Sequence, residues 1–569
     1  MLDTASAQVN LTASVTAMGD ERDTHTGDLA LEPLRQAGVD TMFTLNGGHV
    51  WPLYDAARNV GMRIVDTRHE QTATWAAEAW AKLTRGPGLA VLTAGPGVTN
   101  GVSAITSAHF NGSPLVVLGG RAPQGRWGSG SLQELDHVPI VKSITKLATT
   151  AFEPEGAADV VRSAVEAATT AHRGPVFVDF PMDVLFSPVQ GKARLQRDAV
   201  QARPLIGVNA PGGDGPDVGD IARVAEMIAS AQRPAMIAGS DVYWGGAWDA
   251  LRRAVEALDV PCYANGMGRG CLPADHRLAF SRTRGLLSRE ADLVVVVGTP
   301  LDFRLGFGSF GNARVVHLVD SDEVRSPQAV TAASLAGDLA SMLDAIAAWD
   351  GPRCDHRDWV DRSRDAENAS IAADRDKLAA TSDPIKPTRV FGELSTRIER
   401  DAVVICDGGD FASYAGKYVS SFTPGCWLDT GPYGCLGNGL GYAAAARLAR
   451  PGAQVVAILG DGAAGFALGD LDTLVRHKLP VVLIVGNNGI WGLEKHPMRA
   501  VYGYDVACDL QPGTRYDLVA QALGAGGETI EDPDEIGPGL DRAFNSGVPY
   551  LINIITDPAD QYPRSSNLA

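Results

Sequence analysis

Residues 459–491 have the sequence LGDGAAGFALGDLDTLVRHKLPVVLIVGNNGIW, and this stretch decides the fold. A buried strand at Val455 to Leu459 leads into a Gly-Asp-Gly turn, a helix follows, and a second apolar strand ends at two asparagines. The pattern predicts one βαβ unit of a parallel sheet. Because open α/β sheets bind ligands at the carboxyl ends of their strands, Asp461 and Asn488, 27 residues apart, are expected at one binding edge.

The side chains at this edge predict a metal and phosphate site. An Asp carboxylate, an Asn carbonyl and a backbone carbonyl are hard oxygen ligands, which suit Mg²⁺ or Ca²⁺ and do not suit zinc. Mg²⁺ held in this way usually bridges to a diphosphate, and Gly460 and Gly462 let the backbone approach phosphate oxygens. The alternative is a tight turn and an Asn-rich loop in an ordinary Rossmann-like sheet.

A GDG turn followed about one βαβ unit later by Asn-Asn resembles the cofactor motif of thiamine-diphosphate enzymes. The resemblance implies an α/β fold of three doubly wound parallel-sheet domains. These are a pyrimidine-binding domain at 25–195, a central Rossmann-like domain at 205–355 and a diphosphate-binding domain at 385–557. It also implies three Mg²⁺ ligands, namely the side chains of Asp461 and Asn488 and the backbone carbonyl of Ile490.

Composition excludes several classes of protein. A sequence of 569 residues with 45% apolar and 20% charged residues is typical of a globular enzyme of about three domains. The net charge of −18 argues against a nucleic-acid partner, and no apolar run is long enough to cross a membrane. Seven cysteines without CxxC spacing indicate a reducing cytoplasm, and residues 1–24 resemble a loose tail rather than a signal peptide.

Glu70 is the candidate base in the first domain. It lies in the segment RHEQ, where a strand ends and an Ala-rich helix begins, and an acid there can simply stabilise the helix start. Enzymes of the thiamine family have a Glu at this strand end. Its carboxylate hydrogen-bonds N1' of the cofactor pyrimidine and promotes the imino tautomer, whose nitrogen removes the proton from the reactive carbon.

Two loops of the first domain are expected near the substrate. Gly47, Gly48 and His49 follow the first strand, and His49 is a candidate proton donor. Residues 94–100 resemble the family loop GPGxTN, which implies a cofactor contact for Asn100. The following loop carries Gln133, which would hydrogen-bond a substrate oxygen or else face water.

The glycine-rich run at 431–443 resembles the family segment that supports the cofactor ring. It implies that Gly434 contacts the cofactor and that Leu436, where many relatives have Met, forces its V shape. Leu and Met are comparable in bulk, so the substitution leaves this expectation intact.

The central domain is expected to bind a nucleotide. Asp302, Arg304 and Asp320 follow strand-like runs, and an acid at a strand end suits a ribose while an arginine suits a phosphate. Related enzymes bind ADP or FAD here, and the resemblance favours ADP over FAD. The Pro/Gly/Asp-rich residues 202–217 are expected to be the linker before this domain.

The resemblance is less specific for the reaction. Acetolactate synthases usually have FGLPAA after the glycine cluster, whereas residues 438–445 are NGLGYAAA, similar to oxalyl-CoA decarboxylases and 2-hydroxyacyl-CoA lyases. Glu494 follows Asn488 by six residues and suits the base that removes a 2-hydroxyl proton. The prediction is therefore a 2-hydroxyacyl-CoA lyase releasing formyl-CoA and an aldehyde or ketone, with Trp491 near the substrate. A surface Glu494 paired with Lys495 or Arg499 is the alternative.

Three other functions stay open. One is an acetolactate-synthase-like carboligase acting on pyruvate, the second is an oxalyl-CoA decarboxylase, and the third is a non-catalytic subunit that only binds cofactor. Because family sites lie between subunits, a homodimer or homotetramer is expected. The C-terminal tail, residues 558–569, is used by relatives as a lid over CoA, and Arg564 would meet a phosphate there.

Overall fold

A computed structural model describes residues 21–194 and 216–563. Within them the protein forms three six-stranded sheets covered by helices, and every strand pair within these sheets is parallel. The predicted fold class is confirmed. Most of the expected linker and the residue Arg564 lie outside the described residues. The last four residues of the predicted loose tail, 21–24, belong to a strand.

The first domain contains the candidate base. Its strands are β1 (Glu21–His25), β2 (Thr41–Thr44), β3 (Arg63–Asp66), β4 (Gly88–Leu92), β5 (Leu115–Arg121), β6 (Leu147–Thr150), β7 (Val176–Pro181) and β8 (Pro188–Arg194). Its helices are α1 (Thr26–Gln36), α2 (Trp51–Asn59), α3 (Glu70–Thr84), α4 (Pro96–Phe110), α5 (Val138–Val141), α6 (Ala157–Thr169) and α7 (Met182–Leu185). The sheet order is β3-β2-β4-β5-β7-β6, and β1 pairs with β8 in a separate antiparallel ribbon.

The central domain has the strand order of a Rossmann fold. Its strands are β9 (Pro234–Ala238), β10 (Cys262–Ala264), β11 (Ala279–Phe280), β12 (Leu293–Val297), β13 (Arg314–Val319) and β14 (Ala333–Ala336). Its helices are α8 (Val218–Ser230), α9 (Ser240–Trp244), α10 (Trp248–Leu258), α11 (Arg284–Glu290) and α12 (Leu339–Ala347), and α13 (Arg357–Ala373) and α14 (Arg375–Leu378) lead out of it. The order β11-β10-β9-β12-β13-β14 reverses direction between β9 and β12.

The third domain contains the stretch that decides the fold. Its strands are β15 (Val403–Asp407), β16 (Trp427–Asp429), β17 (Val455–Gly460), β18 (Val482–Asn487), β19 (Gly526–Ile530) and β20 (Tyr550–Ile555). Its helices are α15 (Pro387–Ser395), α16 (Gly409–Tyr418), α17 (Gly439–Ala449), α18 (Asp461–Ala464), α19 (Leu471–Arg476), α20 (Gly492–Tyr502), α21 (Tyr516–Ala522) and α22 (Ile536–Phe544). The order β16-β15-β17-β18-β20-β19 repeats the connectivity of the first sheet.

Helices α3 and α17 join the first and third domains. Of the 15 residues of α3, 13 are buried, because the helix is covered by its own sheet on one side and by α17 on the other. Small residues permit the close approach: a Cβ at Gly441 would lie 2.8 Å from the carbonyl oxygen of Thr72. Between the helices, Tyr442 Oη donates to Glu78 over 2.7 Å, and Lys82 pairs with the same carboxylate over 3.0 Å.

All seven cysteines of the protein are free thiols. Among residues 21–194 and 216–563, no helix combines the length and the apolar character that a membrane span requires.

Candidate active site

The site lies where the strand order of the third sheet reverses, between β15 and β17. The backbone leaves β15 for β16 on one side and then crosses to β17 on the other, which opens a crevice at the carboxyl ends of β15 and β17. Asp407 ends β15, Gly408 follows it, and Asp461 follows β17. Both turns therefore meet at the edge where the sequence predicts a metal and a phosphate.

Asp461 is buried and held by backbone donors. Its Oδ1 accepts the N–H of Gly462 over 3.0 Å, and its Oδ2 accepts the N–H of Gly489 over 2.7 Å. Burial raises the pKa of Asp461 to about 6, against the lowering effect of these two hydrogen bonds. A buried carboxylate with a raised pKa gains from a cation, which supplies the charge stabilisation that water would supply at the surface.

The two asparagines after the second strand have different environments. Asn487 is the last residue of β18 and is buried, and its Nδ2 donates to Thr514 and to Asn553. Asn488 is only partly buried, and its Nδ2 donates to Asp410 Oδ2 over 3.1 Å. The first amide therefore holds the sheet together, and the second belongs to the crevice, as predicted.

Asp410 is a residue of this crevice that the sequence reasoning missed. It lies in the first turn of α16, is 8% exposed, and has its pKa raised by burial. A Cβ at Gly492 would come within 2.1 Å of its Oδ2, so the carboxylate lies directly beneath the start of α20. The acid-glycine run DGGD at 407–410, directly after an apolar strand, was the available signal.

The segment after Asn488 closes one side of the crevice. The N–H of Ile490 donates to Asn488 Oδ1 over 3.1 Å, and Ile490 pairs with Asp509 in an isolated bridge. The ring of Trp491 packs on the GDG turn so closely that a Cβ at Gly462 would lie 2.5 Å from it. Glu494 is exposed in the first turn of α20, and its backbone N–H donates to the carbonyl of Trp491 over 3.1 Å.

Leu436 packs against the end of β15. A Cβ at Gly408 would lie only 1.8 Å from Cδ2 of Leu436. The φ of Gly408, +44°, is itself in the range that favours glycine. Asp407 holds the loop in place, because its carboxylate accepts the N–H groups of Gly437 and Gly439, each over 2.9 Å. Gly434 is exposed with a φ of +68°.

These residues fit a diphosphate-bound Mg²⁺. Asp461 supplies a carboxylate and Asn488 an amide oxygen, and Mg²⁺ prefers oxygen ligands of these types. Glycines at 408, 460 and 462 line the turns beside it, and any larger residue at 408 or 462 would collide with Leu436 or Trp491. The crevice therefore offers oxygen atoms and bare backbone where the sequence predicts a metal and phosphate site, and the ligand assignment stays a prediction.

Glu70 pairs with Asn100, which the sequence analysis named separately as a cofactor contact. It is the first residue of α3, is 7% exposed, and its Oε2 accepts a hydrogen bond from Asn100 Nδ2 over 3.0 Å. The segment beside it touches the third domain, since the N–H of Arg68 donates to Asp470 over 2.7 Å. A Cβ at Gly437 would also lie 3.8 Å from the side-chain amide of Gln71.

The predicted loops of the first domain meet at its own crevice, between β2 and β4. A Cβ at Gly47 would lie 2.3 Å from Thr93, whose hydroxyl is 3.3 Å from His49 Nδ1. Burial lowers the pKa of His49. Gln133, with a φ of +59°, packs against Gly95 of the GPGxTN loop. Gly48 begins a 3₁₀ turn beside these residues.

His137 supports this crevice and was also missed. Its Nε2 accepts the N–H of Gly95 over 2.9 Å, and its Nδ1 donates to Asp179 over 2.9 Å. Arg121 and Thr150 contact the same carboxylate. His137 occurs in an ordinary loop sequence, and no spacing connects it to Gly95, so only the tertiary structure reveals the pair.

The central domain places its three predicted residues in two different locations. Arg304 forms a bidentate ion pair with Asp302 and lines a cavity of about 970 Å³ between the central and third domains. Further cationic residues line the same cavity, which extends to Gly408 and Gly409; among them are Arg269, Arg284 and Lys417. Asp320, expected to meet a ribose, is not among the lining residues and faces His172 and Arg173 of the first domain.

Family models match all three domains. The match is to the thiamine pyrophosphate enzyme N-terminal TPP binding domain at residues 24–140, to the central domain at 221–346, and to the C-terminal TPP binding domain at 407–554.

Curated relatives match almost the whole sequence. Acetolactate synthase large subunit IlvG from Mycobacterium tuberculosis is 51% identical over 96% of this protein and 98% of its own length. The human protein 2-hydroxyacyl-CoA lyase 2 is 33% identical over 94% of this protein and 90% of its own length. The Caenorhabditis elegans 2-hydroxyacyl-CoA lyase 2 is 35% identical over 89% of this protein and 85% of its own length.

Proposed function

This protein belongs to the thiamine pyrophosphate enzyme family, and on that premise we propose that it is a carboligase that joins 2-oxo acids as acetolactate synthase does, with pyruvate as a substrate. The observation that carries the proposal is the 51% identity, over 96% of the sequence, with a protein named acetolactate synthase. The human and Caenorhabditis elegans proteins named 2-hydroxyacyl-CoA lyase 2 are 33% and 35% identical to this protein. The carboligase, weighed above as an alternative, thus has more support than the lyase.

The residues of the two crevices have separate tasks in this proposal. Asp461, Asn488 and the backbone carbonyl of Ile490 would hold Mg²⁺, and Leu436 would support the cofactor rings. Bound thiamine diphosphate supplies the nucleophilic carbon and the electron sink needed to make or break a bond beside a carbonyl. Glu70 holds a proton at the pyrimidine nitrogen N1', and the hydrogen bond from Asn100 keeps its carboxylate in position.

The active site in this proposal lies between two copies of the protein. Glu70 belongs to the first domain and Asp461 to the third. An exposed aromatic pair supports a partner surface: the rings of Phe110 and Tyr433 stack at 5.3 Å, although these side chains are 51% and 44% exposed. Large exposed aromatics grouped in this way mark interaction surfaces. Light scattering is expected to give a homodimer or homotetramer, and an active monomer would contradict the proposal.

A second candidate is the 2-hydroxyacyl-CoA lyase. The GLGYA pattern that favoured it has another explanation, because Gly441 and Tyr442 pack on α3 and thereby join two domains. What still supports the lyase is Glu494, exposed beside Trp491 in the first turn of α20. A carboxylate there suits the base that removes a substrate 2-hydroxyl proton. In that case Glu494→Gln would slow cleavage of a 2-hydroxyacyl-CoA, and an unchanged rate across pH would exclude the role.

One experiment separates the candidates. The purified protein, saturated with thiamine diphosphate and Mg²⁺, is incubated in parallel with pyruvate, with a panel of 2-hydroxyacyl-CoA thioesters, and with oxalyl-CoA. Acetolactate from pyruvate supports the carboligase. Formyl-CoA with an aldehyde or ketone supports the lyase, and formyl-CoA from oxalyl-CoA supports the decarboxylase. Turnover of any of these substrates excludes a non-catalytic subunit.

The cavity beside Arg304 supports a nucleotide ligand for the central domain. It lies next to a sheet with the Rossmann strand order, and its cationic lining suits a phosphate-bearing nucleotide such as ADP or FAD. Extraction of the purified protein and chromatography of the released nucleotides tests this. Bound FAD would favour the carboligase, and protein free of nucleotide that also fails to bind added ADP or FAD would contradict the assignment.

A further inference from the structure

The first and central domains meet at a buried group of three metal-ligating side chains, which we call the His172 cluster: His172, Asp241 and Asp320. We propose that the His172 cluster is a binding site for a divalent transition metal, with Zn²⁺ as the preferred ion. The site is separate from the Mg²⁺ site at Asp461, and it connects the first domain to the central domain.

The backbone brings the three side chains together from distant parts of the sequence. His172 lies in the turn before β7 of the first domain. Asp241 lies in the first turn of α9, directly after β9, and Asp320 directly follows β13. Two ligands thus come from strand ends of the central sheet and the third from the neighbouring domain, so an ion here would be held by both.

The distances agree with tetrahedral coordination. His172 Nδ1 is 3.5 Å from Asp241 Oδ1 and 3.4 Å from Asp320 Oδ1, and the ligand atoms of all three residues lie within 4.8 Å of one another. In a tetrahedral zinc site with bonds of about 2.0–2.1 Å, neighbouring ligand atoms are about 3.3–3.4 Å apart. A single ion bound by His172 Nδ1 would therefore lie close to a carboxylate oxygen of both Asp241 and Asp320.

The polar atoms of the cluster lack hydrogen-bond partners among the described residues. These atoms are His172 Nδ1, Asp241 Oδ2 and both carboxylate oxygens of Asp320, although the side chains of Asp241 and Asp320 are only 3% and 10% exposed. Arg173 lies 3.8 Å from Asp320 Oδ2, too far for a hydrogen bond. Two buried carboxylates that face one imidazole need a positive charge between them, which either a bound metal ion or a proton on His172 supplies.

The ligand types select the ion. One imidazole nitrogen and two carboxylate oxygens form a donor set that zinc accepts, with the fourth position left for water. The all-oxygen set at Asp461 instead suits Mg²⁺. A proton on the His172 imidazole competes with the metal. The protonated imidazole would form ion pairs with the two carboxylates and would leave no room for a metal.

The test uses the untagged full-length protein, which is treated with EDTA, dialysed and then saturated with thiamine diphosphate and Mg²⁺. This protein is titrated with Zn²⁺ against a chromophoric chelator, and metal content is measured by mass spectrometry. The variants are Asp241→Asn and His172→Gln, and the control is Asp322→Asn. Asp322 lies two residues after Asp320 but is 80% exposed and pairs with Arg325, so the same chemical change is made outside the cluster.

The proposal expects one Zn²⁺ per protomer in the parent protein and in Asp322→Asn. Zinc affinity should fall more than about 100-fold in Asp241→Asn and His172→Gln, since loss of an outer-shell partner alone costs about 10–100-fold. Co²⁺ in place of Zn²⁺ should give the intense visible bands of a tetrahedral ion, and these bands should vanish in both variants. Added Zn²⁺ should raise the melting temperature of the parent and of Asp322→Asn, and not that of the two cluster variants.

Asp241→Asn should remain folded, which keeps the test conclusive. Asn has nearly the size and shape of Asp, so the substitution leaves no cavity at this buried position. Circular dichroism of each variant checks the fold. Equal zinc affinity in the parent and both variants, or a parent that binds no Zn²⁺ even at a large molar excess, would overturn the proposal in favour of the protonated imidazole.

Discussion

The backbone N–H of Gly489 donates a hydrogen bond to Asp461 Oδ2 over 2.7 Å. This bond joins the turn after β17 to the turn after β18, so the carboxylate and the amide of Asn488 are positioned by neighbouring strands of one sheet. The proposed metal ligands Asp461 and Asn488 are therefore held side by side by the sheet itself. The following predictions depend on this arrangement and on the packing around it.

Replacement of Asp461 by Asn should weaken cofactor binding. The substitution removes the charged metal ligand while keeping its size, so the affinity for thiamine diphosphate at saturating Mg²⁺ should fall at least about tenfold. Isothermal titration calorimetry measures this directly. Asp472→Asn, which alters a partly exposed Asp paired with Arg476, is the control and should bind the cofactor normally. Equal affinities in the two variants would show that Asp461 is not a ligand.

The two asparagines should behave differently when truncated. Asn487→Ala removes the buried donor of Asn553 Oδ1 and one of the donors of the Thr514 carbonyl, and should lower the free energy of unfolding by about 1–3 kcal/mol. Asn488→Ala should have a smaller effect on stability and a larger one on Mg²⁺ affinity. Urea unfolding of the metal-free proteins and Mg²⁺ titration measure the two effects. The reverse pattern would mean that Asn487 is the metal ligand.

Glu70→Gln should reduce turnover by about 10²–10⁴-fold, the usual contribution of a positioned proton-transfer group. Binding of thiamine diphosphate should change little, because Glu70 is predicted to act on the pyrimidine and not on the diphosphate. Steady-state kinetics and calorimetry are measured on the same preparation. Glu32→Gln, on the surface of α1, is the control. Full activity in Glu70→Gln would exclude the proton-transfer role.

Asp407 should make stability depend on pH. Burial raises the pKa of this carboxyl to about 6 in the folded protein, above its ordinary value of 3.8. The folded state therefore binds the proton more tightly than the unfolded state, and this stabilising contribution is lost as the pH rises from about 4 through 6. Relative to Asp407→Asn, the parent should lose about 2 kcal/mol of unfolding free energy between about pH 4 and 7. Urea titrations of both proteins measure the difference, and a constant difference would contradict the assignment.

The packing of α3 on α17 should tolerate no added methyl group at Gly441. A Cβ there meets Thr72 and Trp75 at 2.8 Å, so Gly441→Ala should lower stability by about 1–3 kcal/mol. Gly452→Ala, where a Cβ meets nothing within 4 Å, is the control. Thermal unfolding gives the stabilities, and substrate preference should be the same in both variants. A changed preference in Gly441→Ala would mean that the GLGYA pattern takes part in substrate recognition after all.

The fold and the central features of the site were accessible from the sequence. Buried strands flanking a GDG turn, followed by Asn488, predict a parallel sheet with a metal edge, because strand ends of such a sheet converge. The pairing of Glu70 with Asn100 was not predicted, although both residues were named. Each was found from its own motif, and no spacing rule relates the ends of α3 and α4.

The sequence by itself determined the parallel sheets and the strand edge at Asp461 and Asn488, because these depend on local periodicity and on short motifs. Only the tertiary structure decided that Asn487 bonds to Thr514 and Asn553, that GLGYA packs on α3, and that Asp320 faces His172 and not the cavity beside Arg304. These outcomes depend on contacts between residues that are far apart in the sequence. Such contacts follow from how complete sheets and helices pack, which no local pattern encodes.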